Sequence, residues 1–148
     1  MNATRSFRKG SRGQCPLVGL GAKPHTIKGE IMAGFPEFLQ NPINAVRDVD
    51  QSPGVKGYIF DGLDGSQVIL WESEADVESD EHVHDFDEYF VIVEGQYSGV
   101  VGGRPVSLKA GDELLVPRGT PHSGKFPAGS RFIYAFSSPR ARRAPSAE

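Results

Sequence analysis

Short apolar runs broken by turn-forming clusters fill most of the chain, and polar and apolar residues alternate within many of them. No stretch sustains the 3.6-residue repeat of an amphipathic helix, whereas the two-residue repeat recurs, so the pattern predicts strands. The expected strands cover residues 25–32, 55–60, 67–73, 82–84, 88–93, 96–101, 105–109, 112–116, 123–126 and 131–136. Between them, Asp61-Gly62-Leu63-Asp64-Gly65, Glu94-Gly95, Gly102-Gly103 and Ala110-Gly111-Asp112 offer glycines where a reversing backbone needs positive φ. A single helical turn is expected over residues 36–40, bounded by Pro36 and Pro42. The fold class is therefore all-β. Many short antiparallel strands in one chain of this size point to a closed barrel or a two-sheet jelly roll, which hides strand edges from other chains.

Length and composition narrow this further. The 148 residues suit one domain, and a chain of that size buries roughly two thirds of its unfolded surface. The apolar runs Val68-Ile69-Leu70-Trp71 and Tyr89-Phe90-Val91-Ile92-Val93 fall well short of the roughly 20 residues that cross a bilayer, so no membrane partner is expected. The head of the chain is polar and basic and does not read as a secretion signal. Cys15, the one cysteine, has no intramolecular disulfide partner and reads as an inert or surface thiol. Together these features give the expectation of a cytoplasmic protein. The net charge of −3 hides a basic head (Arg5, Arg8, Lys9, Arg12) and a basic tail (Arg140, Arg142, Arg143). Scattered over two ends, these residues do not build the concentrated basic face that nucleic acid requires, so no nucleic-acid partner is expected. Residues 1–14 and 139–148 lack apolar periodicity and are expected to be flexible or to lie over a partner, leaving one domain over 15–138.

The middle of the chain is acidic. From Glu72 to Glu88 it also carries Glu74, Asp76, Glu78, Asp80, Glu81, Asp85 and Asp87 without a lysine or arginine. Such a field attracts cations, although a solvated loop accounts for most of these acids. His82 and His84 lie inside this stretch, two residues apart, which on an extended strand aims both rings to one side. After the turn-forming Asp85-Phe86-Asp87, Glu88 can bring a carboxylate opposite them, and His122 can close the set from a distant part of the chain. Imidazole nitrogens with one carboxylate suit Zn, Fe, Mn, Ni or Cu rather than calcium. Glu81, Asp85 and Asp87 are candidates to orient the histidines from behind, although solvent-exposed turn carboxylates are the preferred reading. His25, beside Pro24, stands outside the pattern and reads as a non-ligand. Ser123 has no separate base to activate it, and Gly19-Leu20-Gly21 and Gly102-Gly103 read as turns rather than phosphate loops.

These residues also stand in a recognisable order: His82-x-His84, three residues, Glu88, six residues, Gly95, and later Gly111, five residues, Pro117-x-Gly119, two residues, His122. The order resembles the two motifs of the cupin superfamily, in particular its small single-domain bacterial-type members of the cupin 2 kind. Two positions depart from it, Asp76 where the first motif opens with glycine and Phe126 where the second ends with asparagine. The motif core covers residues 82–122, and the strand pattern over 55–136 extends it.

The resemblance implies a double-stranded β-helix, or jelly-roll barrel, with a short helical turn near its N-terminus. It implies one divalent transition metal ion held by His82, His84, Glu88 and His122, with Fe, Mn, Zn, Ni and Cu undistinguished. Four protein ligands on an octahedral ion leave two positions open, as catalytic sites do. A dioxygenase-like or isomerase/lyase-like activity on a small oxygenated or anionic molecule follows from the resemblance. The alternatives are a non-catalytic barrel that binds or senses a small ligand and a barrel whose metal only supports the fold, and no catalytic residue is assigned. For the cavity wall the aromatic candidates are Tyr58, Phe60, Trp71, Tyr89, Phe90, Tyr134 and Phe136, about half of which strand alternation should turn inward. Tyr58, Phe60 and Tyr134 are the candidate substrate contacts, with Arg104, Arg118 and Arg131 as candidate carboxylate anchors. The resemblance further implies a homodimer, with residues 15–54 available for exchange between copies.

Overall fold

The computed structural model of the protein describes residues 34–145. The expected strand over 25–32, Cys15, His25, the basic head and the first part of the proposed exchange segment lie outside these residues. Nine strands follow in order: β1 (Val55–Asp61), β2 (Gln67–Ser73), β3 (Val77–His82), β4 (Glu88–Glu94), β5 (Gln96–Val101), β6 (Arg104–Lys109), β7 (Glu113–Val116), β8 (His122–Phe126) and β9 (Arg131–Phe136). They form a five-stranded sheet, β1-β2-β9-β4-β7, and a four-stranded sheet, β3-β8-β5-β6, with antiparallel pairing throughout. This is the jelly-roll arrangement. Its core holds Ile59, Ile69, Phe90 and Ile92, all essentially removed from water, with Trp71, Phe126, Phe132 and Phe136 around them. Between β4 and β5 the chain reverses through Gly95 at φ 82°, and a side chain there would run into Ser130 as well as strain the backbone.

The strands agree with the hydrophobic pattern within a residue or so, with one correction. Instead of a short strand over 82–84, β3 begins at Val77 and ends at His82. Pairing with β8 makes the difference, through Val77↔Phe126, Glu78↔Lys125 and His82↔His122, with a register shift between Ser79 and His82. Val77 and Ser79 are half-buried while Glu78 and Asp80 face water. Part of the acidic stretch is thus the wet face of a strand, a role its composition disguises.

Ahead of the sheets, the helical turn expected over 36–40 is a 3-10 turn at Glu37–Leu39, and two more follow at Pro42–Asn44 and Asp48–Asp50. Asn41 caps the second by accepting a hydrogen bond from the Ile43 amide at 3.0 Å. Among the described residues no helix is long and apolar enough to cross a membrane.

In the tail, residues 140–144 are tied to the sheet and to the segment before β1 by hydrogen bonds. The side-chain oxygen of Gln67 accepts from the amides of Arg140 and Ala141 at 2.6 and 3.0 Å. Its amide group donates to the Ala141 carbonyl at 3.0 Å and to Asp61 at 2.9 Å. Val46 then bridges to Arg143, and the Ala144 amide donates to the Ala45 carbonyl at 2.7 Å. Arg142 pairs with Asp50 and Arg143 with Asp61. Apart from Ala141, which is buried, these links are polar and carry no apolar period, so the sequence pattern leaves the segment featureless.

Candidate metal centre

His82, the last residue of β3, stands directly across from His122, the first of β8, and their ring centroids are 4.2 Å apart. His84 lies beyond the end of β3, where the chain keeps its alternation, with Val83 turned to solvent and His84 half-buried. The His84 ring stacks on Phe86 at 4.7 Å, and Phe86 packs edge-on against Phe136 in β9. The two ligand-bearing loops are joined by their backbones. The Gly119 amide donates to the His84 carbonyl at 2.8 Å, and the Arg118 amide donates to Asp87 Oδ1 at 2.9 Å. Ser137 completes the brace, its hydroxyl accepting from the Asp87 amide and its amide donating to the Asp87 carbonyl.

The result is a compact donor set. Ligand nitrogens from His82, His84 and His122 all lie within 4.8 Å of one another, so the trio could hold a metal ion. Imidazole nitrogens bound about 2.1 Å from one ion are at most about 4.2 Å apart, so modest ring rotations close the remaining gap. Glu88, the first residue of β4, is buried beside them, its oxygens 3.4 Å from His84 Nε2 and 3.9 Å from His122 Nε2. The Nδ1 atoms of His82 and His122 sit 2.7 and 2.9 Å from the carbonyl oxygens of Asp80 and Thr120. A carbonyl only accepts, so these contacts place a ring proton on Nδ1, and in the neutral ring Nε2 is then the atom with the lone pair. His122 Nε2 is buried without a hydrogen-bond partner among the described residues. An orphaned buried acceptor costs about 1–3 kcal/mol, and a cation is the partner that this cluster of acceptors fits. The groups that hold these two rings are backbone carbonyls, while Glu81, Asp85 and Asp87 are exposed, as solvated turn carboxylates are. Asp87 serves the loop brace instead.

The donors open onto a cavity of about 140 Å³, room for about four waters and well below the usual volume of a drug-sized pocket. Its walls are aromatic. Phe90 and Tyr134 stack at 4.8 Å, Tyr134 and Phe136 at 5.5 Å, and Phe126 and Phe132 at 4.0 Å. Burial raises the Tyr134 phenol well above its ordinary pKa, with the Glu88 charge adding to the effect. The same two causes, in the same order, push Tyr97 up to about 12. Both phenols therefore keep their protons at neutral pH. The exposed lining residues Ser52 and Arg140 mark where the cavity meets solvent.

Of the candidate substrate contacts, Tyr134 lines this cavity, as do Trp71, Phe90 and Phe136. Tyr58 and Phe60 do not. In β1 the buried positions are Val55, Gly57 and Ile59, so the alternating residues turn away, and Tyr58 reaches Gln40 outside the sheet at 3.4 Å. Tyr89 likewise faces outward and donates to Glu113 at 2.6 Å. None of Arg104, Arg118 and Arg131 lines the cavity, and Arg131 is engaged by Glu94 at 2.8 Å. The arginine that does is Arg140, from the tail expected to be flexible or to lie over a partner. Tyr97 and Phe132 were missed as wall residues as well, although both occupy inward positions of expected strands, where alternation offered a signal.

Residues 69–133 match the family model described as the cupin domain. Among curated protein sequences none matches the chain. Solved structures with the same fold include an RmlC-like cupin from Shewanella frigidimarina, 23% identical, covering 68% of this chain and 85% of that one with a TM-score of 0.54. KdgF from Halomonas sp. is 17% identical, covering 68% and 94% of the two chains at a TM-score of 0.51. An oxalate decarboxylase variant from Bacillus subtilis is 15% identical, covering 58% of this chain and 26% of that one at a TM-score of 0.50. At these identities the likeness is one of fold.

Proposed function

We propose that the chain is a metal-binding protein of the cupin superfamily, whose domain residues 69–133 match, acting on a small oxygenated or anionic organic molecule. It holds one divalent transition metal ion through His82, His84, Glu88 and His122. The observation that carries this reading is the buried, unpartnered Nε2 of His122 within a cluster of three imidazoles and a buried carboxylate. When bound, the ion supplies Lewis acidity and, if it is Fe or Mn, access to oxygen chemistry.

The chain's own residues supply the rest. The Asp80 and Thr120 carbonyls hold two of the rings with Nε2 toward the donor cluster, and the Phe86 stack limits rotation of the third. The aromatic walls lower the local dielectric and keep bulk water from a bound molecule. Glu88 contributes one negative charge against the two positive charges of the ion, so the centre stays cationic and favours oxygen-rich or anionic ligands. The reaction class is dioxygenase-like with a redox metal and isomerase- or lyase-like with Zn or Ni.

Elemental analysis of protein purified without added metal or chelator tests the reading, together with titration of the metal-free form with Co²⁺ or Zn²⁺. We expect about one equivalent per chain, lost in His84→Ala and in His122→Ala while far-ultraviolet circular dichroism stays unchanged. Failure to take up a transition metal even after reconstitution overturns it. Turnover on a panel of small oxygenated acids, abolished in His84→Ala, would identify an enzyme rather than a binding barrel.

A further inference from the structure

We infer that Arg140 is a carboxylate-recognising residue of the cavity, and that the molecule this protein takes is a small acid with an apolar, ring-sized body. The inference rests on the cavity beside the histidine cluster being the substrate site, and it assigns the chemistry of the far end of that substrate. Arg140 lines the cavity from the tail segment. Among the described residues its side chain makes no ion pair. The other charged lining groups are already engaged. Asp50 holds Arg142 at 2.9 Å and Arg47 at 3.1 Å, and Glu88 sits among the histidines. An always-charged guanidinium with a planar fork of donors, from a residue lining the cavity and without an ion pair among the described residues, matches a carboxylate in shape and charge.

The root of this side chain is held in place. Gln67, itself buried, accepts from the Arg140 and Ala141 amides and donates to the Ala141 carbonyl. On the far side of Ala141 the Arg142 carbonyl accepts from the Arg47 amide at 2.9 Å. Backbone fixation on both sides lowers the entropy lost when the guanidinium engages a ligand. Phe90, Phe126, Phe132, Tyr134 and Phe136 all line the cavity that Arg140 and the histidines share, so an apolar body suits it. The cavity volume limits that body to about the size of one ring.

Trp71, the only tryptophan, lines the same cavity and reports on its occupancy by fluorescence. The experiment titrates benzoate and its uncharged analogue benzamide into wild type, Arg140→Gln and Arg140→Lys, each metal-free and Zn²⁺-loaded, with metal content measured on the same samples. We expect wild type to prefer benzoate about tenfold or more. In the metal-free arm Arg140→Gln should bring the preference within about twofold and Arg140→Lys should keep part of it, since Lys retains the charge without the fork. Metal content should be unchanged across the three proteins. A metal-free wild type without preference for benzoate, or a preference that survives in metal-free Arg140→Gln, overturns the inference. Failure of Zn²⁺ to bind would defeat the metal reading alone, because the metal-free arm still measures the charge preference.

Discussion

The backbone amide of Gly119 donates to the carbonyl oxygen of His84 at 2.8 Å. This one bond links the loop that follows β3, which carries His84, to the turn that precedes β8, which opens with His122. Gly119 makes it at φ 75°, a conformation that costs a residue with a Cβ about 1–2 kcal/mol. Among the described residues no neighbour lies within 4 Å of the position a Cβ would take, so strain of the backbone is the penalty there.

Gly119→Ala is accordingly expected to lose about 1–2 kcal/mol in denaturant unfolding and to bind Zn²⁺ more weakly than wild type. Gly119→Asn, which tolerates positive φ better, should fall between them. Metal affinity unchanged in Gly119→Ala would show that the loop junction does not control the donor set.

Behind the cavity, Gly99 and Gly124 face each other across β5 and β8, and the Tyr97 ring lies against them. A Cβ on Gly124 would overlap that ring. Gly124→Ala should therefore cost about 3 kcal/mol, at the upper end for overpacking. In a Tyr97→Ala background the same change should cost much less, because the clashing partner is gone. Equal costs in the two backgrounds, by chemical denaturation, would refute the clash. Tyr97→Phe loses only the hydroxyl's 2.9 Å bond to the Ser123 carbonyl, about 1 kcal/mol.

Acid stability should depend on Asp50. Hydrogen bonding from Arg142 is the largest influence on its carboxyl, with Arg47 contributing, and together they hold it well below the usual carboxylate range. A depressed folded-state pKa favours folding while the carboxylate is charged. The contribution is therefore present above the unfolded value of 3.8 and is lost as pH falls through the lower folded value. The stabilities of wild type and Asp50→Asn should converge as the pH drops below 3.8 and diverge again toward neutrality. Because Arg142 is largely exposed, added salt should narrow the neutral-pH gap. A gap independent of pH would remove the ion pairs as its cause.

Much of the fold is legible along the chain for local reasons. Alternation in Gln67–Ser73, Gln96–Val101 and Arg131–Phe136 marks those strands with the bounds they have in the structure, because a half-buried strand must turn every second residue to the core. The spacing of His82, His84, Glu88 and His122 singles out four residues that do stand together. The acidic β3 escapes the same reading, since only its pairing with β8 shows which of its residues face inward.

What the sequence determined by itself, then, is the strand pattern, its glycine turns and which four residues cluster, all of which depend on residues near one another or on motif spacing. Tertiary structure alone decided that Tyr134 rather than Tyr58 or Phe60 meets the cavity, and that Arg140 rather than Arg104, Arg118 or Arg131 reaches it. The side of a sheet that becomes an interior is set when the second sheet closes over it. The position of Arg140 depends on Gln67, 73 residues earlier in the chain, through hydrogen bonds that leave no periodic trace in either segment.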